Sequence, residues 1–207
     1  EAEFNFKNNN LSNALRDALE YQTYHESRSN ALNNELVKKI INASYSLIPV
    51  YIESNKLLHA RDLIVTLREL YDLPETRSEY NNLDSQLRNI GRKLVLMARY
   101  APKKLFEMRA SLALEKGDPE PRPITEIAQN RWKERTEKST PQSIKRACWM
   151  AARKHVDGSK WESMIIGGID SILSLLNIDG INEIFGNESL NIESQKILID
   201  WLTEKST

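Results

Sequence analysis

Apolar positions recur along most of this chain at the three- and four-residue spacing of a helix stripe, and period-two alternation of β-branched residues is scarce. Leu11, Ala14, Leu15, Ala18 and Leu19 follow i, i+3, i+4, i+7, i+8 and predict a helix whose stripe weakens at the polar Gln22. Leu36, Ile40, Ala43, Leu47 and Val50 predict a second helix, with Pro49 near its end as a kink or an early stop. A third is predicted on Leu57, Leu58, Ile64, Leu67 and Leu70, closed by Tyr71-Asp72-Leu73-Pro74. The fourth starts near Ser78 or Glu79 and carries Leu83, Leu87, Ile90, Leu94 and Met97 on one face. Gly91 inside it costs up to about 1 kcal/mol relative to Ala, so it is expected to mark a close helix crossing. Pro102 interrupts the run, and Leu105 to Glu115 reads as a short continuation.

The clearest boundary is Lys116-Gly117-Asp118-Pro119-Glu120-Pro121-Arg122-Pro123, where alternate prolines favour extended backbone and forbid a helix. Beyond it, Pro123-Ile124-Thr125-Glu126 opens a helix to about Glu137. Ser139-Thr140-Pro141 starts another, with proline at the first helical position, running to about Val156 and stopping at Asp157-Gly158. Lys160 to Asn177 is predicted helical, with Gly167-Gly168 in its middle as a tight helix contact or a weak point. Two short helices are expected around Asp179 to Phe185 and Ile192 to Trp201.

These elements predict an all-α fold, a multi-helix bundle in two helical parts joined by a Pro-rich linker. The parts are an amino-terminal bundle over residues 11–116, the linker over 117–123, and a carboxy-terminal helical domain over 124–207. Residues 1–10 are set aside as disordered, because Glu1-Ala2-Glu3-Phe4 looks like a processing or cloning scar and Asn8-Asn9-Asn10 has no period. The ordered fold is expected to begin near Leu11.

Composition fits this picture. With 207 residues, 40% apolar and 28% charged, the chain can bury a core and does not read as disordered. Its longest apolar runs, Ala43 to Ile52 and Ile165 to Leu176, fall short of the roughly 18–20 residues of a membrane span, so a soluble chain with no membrane partner is expected. Cys148 is the single cysteine, which excludes an internal disulfide and favours a reducing, intracellular setting, cytoplasmic or nucleic-acid-associated. Asn-X-Ser sequons at Asn10, Asn42 and Asn187 are read as chance matches in an Asn-rich chain.

Charge changes the picture more. The total is zero, yet residues 87–160 hold 18 Lys/Arg against 8 Asp/Glu, while 1–86 hold 9 against 13 and 161–207 hold 2 against 8. A basic block between acidic flanks creates a local field that the neutral total hides.

Chemistry-bearing patterns are few. His25, His59 and His155 lack zinc-site spacing, and no nucleophile elbow, phosphate loop or dinucleotide fingerprint occurs. No metal, cofactor or catalytic residue is therefore expected, and nothing positive points to an enzyme. Cys148 is expected in a buried stripe with Ile144, Ala147 and Ala151, as an inert core thiol.

The basic block carries the candidate site. Arg88, Arg92 and Arg99 share a face of the fourth helix away from its leucine stripe, extended by Lys93, Lys103 and Lys104. Arg131, Lys133, Arg135 and Lys138 surround Trp132. Lys145, Arg146, Arg153 and Lys154 surround Trp149, and Lys160 adjoins Trp161. In the helix after Pro141, Arg146, Trp149, Met150 and Arg153 lie at i, i+3, i+4, i+7. Guanidinium groups can clamp phosphate or read guanine, and an indole can stack on a base. The helices flanking Ser139-Thr140-Pro141 loosely resemble a helix-turn-helix with the second as reader, although Ala128 to Ser139 spans 11 residues, longer than that motif's compact turn. The expected function is a nucleic-acid-binding accessory or regulatory protein, DNA favoured. The alternative is an all-helical adaptor, effector or assembly protein with a protein partner or a second copy, in which Trp201 docks into a groove or else closes its own core.

Overall fold

Helix-favouring periodicity dictates the architecture of the chain in a computed structural model that describes residues 1–8, 10–154, 161–178 and 192–206. All regular structure among the described residues is helical. In chain order the helices are α1 (Ala2–Lys7), α2 (Leu11–Tyr24), α3 (Arg28–Ala31), α4 (Glu35–Glu53), α5 (Leu57–Leu70), α6 (Arg77–Tyr100), α7 (Pro102–Lys116), α8 (Glu126–Thr136), α9 (Pro141–Lys154), α10 (Trp161–Leu176) and α11 (Ile192–Ser206). A 3₁₀ turn, Pro74–Thr76, leads into α6. The predicted short helix at Asp179 to Phe185 and the stop at Asp157-Gly158 lie outside the described residues.

The chain forms two compact units, Glu1–Gly91 and Arg92–Thr207. In the first, α2, α4 and α5 pack against one another, with α1 and α3 laid on α2. Leu15 of α2, Ile40 of α4 and Leu63, Ile64, Leu67 and Leu70 of α5 are fully buried between them. Each such side chain contributes about 1.5–3 kcal/mol relative to an exposed one. Asn10 caps α2 by accepting from the Asn13 N–H (3.3 Å), and Asn34 caps α4 by accepting from the Leu36 and Val37 N–H groups (2.9 and 3.3 Å).

Several details depart from the periodicity. Gln22, where the α2 stripe was expected to weaken, belongs to the buried face. It is completely buried and its Nε2 donates to the Leu70 carbonyl at 2.8 Å, satisfying an acceptor that the last turn of α5 leaves open. The buried face of α4 is Val37, Ile40, Ile41, Ser44 and Ile48, rotated from the expected stripe, and Val50 is exposed. A segment apolar on several sides offers two stripes of similar size, and spacing alone does not decide which one faces α2 and α5. Pro49 sits inside α4 at an exposed position, and the helix continues to Glu53. The chain is already helical ahead of Leu11: Asn5 of α1 donates to Asp17 of α2 at 2.8 Å.

The long helix α6 buries Leu83, Ile90 and Met97 at seven-residue intervals, the face its leucines predicted. Asp84 on it accepts from Arg68 of α5 at 2.9 Å and from Arg88 one turn on. Those two hydrogen bonds, from Arg88 first and Arg68 second, hold its carboxyl below the ordinary carboxylate range. Arg77 covers the Tyr80 ring at 4.4 Å from its centroid.

The second unit is built differently. Its buried apolar residues among those described are Met97, Ala101, Leu105, Leu176, Ile178 and Leu202. Helix α7 lies against α8, and α10 lies against both α9 and α11. Gln195 of α11 donates to the Leu176 carbonyl at the end of α10, 2.6 Å away. Gly117 closes α7 in the left-handed region (φ +71°), letting the Asp118 N–H reach back to the Ala113 carbonyl at 2.8 Å. Residues 118–125, the proline run, are non-helical and lie inside this unit. A Cβ added at Gly91, Gly167 or Gly168 would meet nothing within 4 Å, so none of the three marks a tight helix crossing among the described residues.

Candidate nucleic-acid interface

Local chemistry makes α9 a well-started helix. Pro141 occupies its first position, and Thr140 and Ser143 cap each other: the Ser143 N–H donates to Thr140 Oγ1 (3.1 Å) and the Thr140 N–H to Ser143 Oγ (2.9 Å). Along the helix come Lys145, Arg146, Arg153 and Lys154, and no acidic residue.

None of its residues is buried. The expected buried stripe of Ile144, Ala147, Cys148 and Ala151 is not formed: Ile144, Ala147 and Ala151 are exposed, and the less exposed edge is Cys148 with Ala152. Periodicity reveals that a helix has an apolar side, but not whether anything in the same chain covers it. Cys148 is thus a half-buried free thiol rather than a core one.

The face carrying Arg146, Trp149, Met150 and Arg153 is open. Trp149 is 53% exposed, and the Arg153 guanidinium lies over its ring at 4.6 Å from the centroid. That contact orders two large side chains on the surface at once, with the cation facing solvent. None of the four α9 cations forms an ion pair among the described residues, so their field is not cancelled locally.

The other candidates belong to other helices. Arg88 belongs to the first unit and is held by Asp84. Arg92 pairs with Asp170 of α10 at 3.6 Å, which gives it a role within the second unit. Arg99 and Arg131 are exposed. Trp132 is half-buried, edge-on to Tyr100 with centroids 5.8 Å apart, so this indole fastens α8 rather than offering a stacking surface. The helix-turn-helix likeness is not realised as a packed pair: α8 rests on α7, whereas α9 rests on α10. Composition around the site remains basic, with eight Lys/Arg against two Glu over residues 131–154.

Sequence reading left the first unit's groove unnoticed. About 760 Å³ in volume and widely open, it is bordered by Asp17, Glu20, Tyr21, Tyr24, His25 and Glu26 among others. Its histidine is engaged locally, Nδ1 meeting the Ser27 backbone N–H at 3.1 Å. Asp17, Glu20, Tyr21 and Tyr24 fall at i, i+3, i+4 and i+7 on α2, but the other wall comes from Asn34, Leu36, Val37 and Ile40, and spacing along one helix does not show which segment lies opposite it. No group of three or more His, Cys, Asp or Glu is placed to hold a metal ion among the described residues, and no helix there is long and apolar enough to cross a membrane. Comparison with protein-family models, curated proteins and solved structures finds no match for the chain.

Proposed function

We propose that this chain is a nucleic-acid-binding accessory or regulatory protein, with DNA as the favoured ligand and α9 as the contacting element. The observation that carries the reading is the open face of α9, where unpaired guanidinium groups flank a half-exposed indole already stacked by one of them. Phosphates supply the anion that such a face lacks in its own chain, and base or sugar surfaces supply the partner for the indole. Arg146 and Arg153 contact phosphate or base edges, Trp149 covers a base or sugar, and Lys145 and Lys154 add charge at the margins. Arg99 and Arg131 are available for further backbone contacts. Arg88 and Arg92 drop out of the contact set because carboxylates of the same chain already hold them.

The test is fluorescence anisotropy with random double- and single-stranded oligonucleotides, titrated at two salt concentrations. Binding that weakens steeply as salt rises is the expected result; absence of binding to both forms at low salt would sink the reading.

A protein-interaction reading has its own support in the apolar surface of the second unit. Ile165 and Ile172 of α10 and Ile197 and Trp201 of α11 are exposed by 46–63%. Trp201 therefore does not close the core of its own unit, which Leu202 beside it enters instead.

A further inference from the structure

The outward side of α11 has a composition opposite to that of α9. Glu193, Ile197, Asp200 and Trp201 fall at i, i+4, i+7 and i+8, so they share one face of the helix. All four are exposed, with Ile197 at 63% and Trp201 at 53%, and neither Glu193 nor Asp200 forms an ion pair among the described residues. The inner side is occupied by Leu202, which is buried, with Leu198 and Ile199 half-buried beside it.

We infer that the acidic–apolar face of α11 is a docking surface for the basic–aromatic face of α9 on a second copy of this chain. Two carboxylates bracketing an isoleucine, with an indole just beyond the second, meet two guanidinium groups bracketing an indole and a thioether, each set spaced along about two helical turns. The pairing is not made within one copy, because Trp149 and Trp201 are each 53% exposed in the same chain. Opposite charge at the margins sets the register, while burial of the two indoles and Ile197 contributes most of the attraction. Since each copy offers one face of each kind, the contact closes reciprocally into a dimer or continues as an open chain. This inference does not depend on nucleic-acid binding, but it uses the same α9 side chains, so a second copy and a nucleic acid compete for them.

The experiment is sedimentation velocity on the full chain with two charge-reversed variants, Arg146→Glu/Arg153→Glu and Glu193→Arg/Asp200→Arg, at low salt. All four positions are exposed, and circular dichroism checks that each variant keeps its helicity. The unaltered chain is expected to self-associate, and each variant alone to do so at least about a hundredfold more weakly, because like charges then face each other. Mixing the two variants restores complementary faces, and association is expected to return. An unaltered chain that stays monomeric at the highest concentration, or a mixture that stays monomeric, overturns the inference. Oligonucleotide binding separates this failure from that of the proposed function: Glu193→Arg/Asp200→Arg keeps α9 intact and is expected to bind at least as well as the unaltered chain.

Discussion

Replacing Arg146 and Arg153 together by alanine tests the proposed interface most directly. Four unpaired cations on α9 set an upper limit of four neutralised phosphates for this helix. On duplex DNA that corresponds to a slope of log K against log salt of about −3.6, or an affinity loss of about 150-fold between about 50 and 200 mM salt. Removing the two arginines leaves Lys145 and Lys154, a slope of about −1.8, and a loss of about 12-fold over the same range. The substitutions take away no buried contact, since neither position is buried, and the Arg153–Trp149 stacking they remove is worth about 0.5–1 kcal/mol at an exposed site. Folding stability should therefore change by no more than about 1 kcal/mol, so weaker binding reports on the surface and not on unfolding. Anisotropy titrations at four or more salt concentrations give both slopes. Equal slopes for the two proteins would refute the assignment, because the guanidinium groups would then be releasing no counterions.

Trp149→Ala should weaken single-stranded binding more than duplex binding, by about 1–3 kcal/mol if one base stacks on the indole; equal losses on both forms argue against stacking. Gln22→Ala removes the 2.8 Å bond to the buried Leu70 carbonyl and should cost about 1–3 kcal/mol in urea unfolding, whereas a change below about 0.5 kcal/mol would mean the carbonyl finds another donor. Asp84 has a native pKa below its unfolded value, so its contribution is complete above the ordinary carboxylate value of about 4 and is lost as pH falls through the lowered native value. Urea midpoints of the unaltered chain should thus converge on those of Asp84→Asn as the solution is acidified, and a gap independent of pH contradicts the sign. Pro49→Ala restores the hydrogen bond that a mid-helix proline denies to α4 and should stabilise the first unit by about 1–3 kcal/mol; a lower melting temperature would show that the ring packs usefully.

Much of the helical layout was readable from spacing alone. Leu83, Ile90 and Met97 lie on the face their period indicated, and Pro141 begins the helix it was expected to open, while Pro102, expected as an interruption, itself opens α7 three residues ahead of Leu105. What failed shares a physical cause. Spacing reports which side of a helix is apolar, but burial depends on what lies opposite, and Ile144 and Ala151 remain exposed among the described residues. Gln22 read as a weakening of the stripe because the carbonyl it satisfies sits on Leu70, far along the chain. The same distance hid the Asp170 partner of Arg92, so a cation counted as available is in fact occupied. Trp149 and Arg153 stand one helical turn apart, so their shared face was legible from spacing, whereas the stacking of the guanidinium on the ring was not.

Helix α6 runs unbroken from Arg77 to Tyr100, and the division between the two units falls inside it, after Gly91. Anyone dissecting the chain must take that into account. A cut at Gly91 would strip four carbonyls of their donors on one fragment and four amides of their acceptors on the other, and would expose fresh charges at both new ends. A second-unit fragment is better begun at Arg77, and a first-unit fragment better carried through Tyr100, each retaining the whole helix. The smallest pieces worth expressing therefore overlap in sequence by that entire segment.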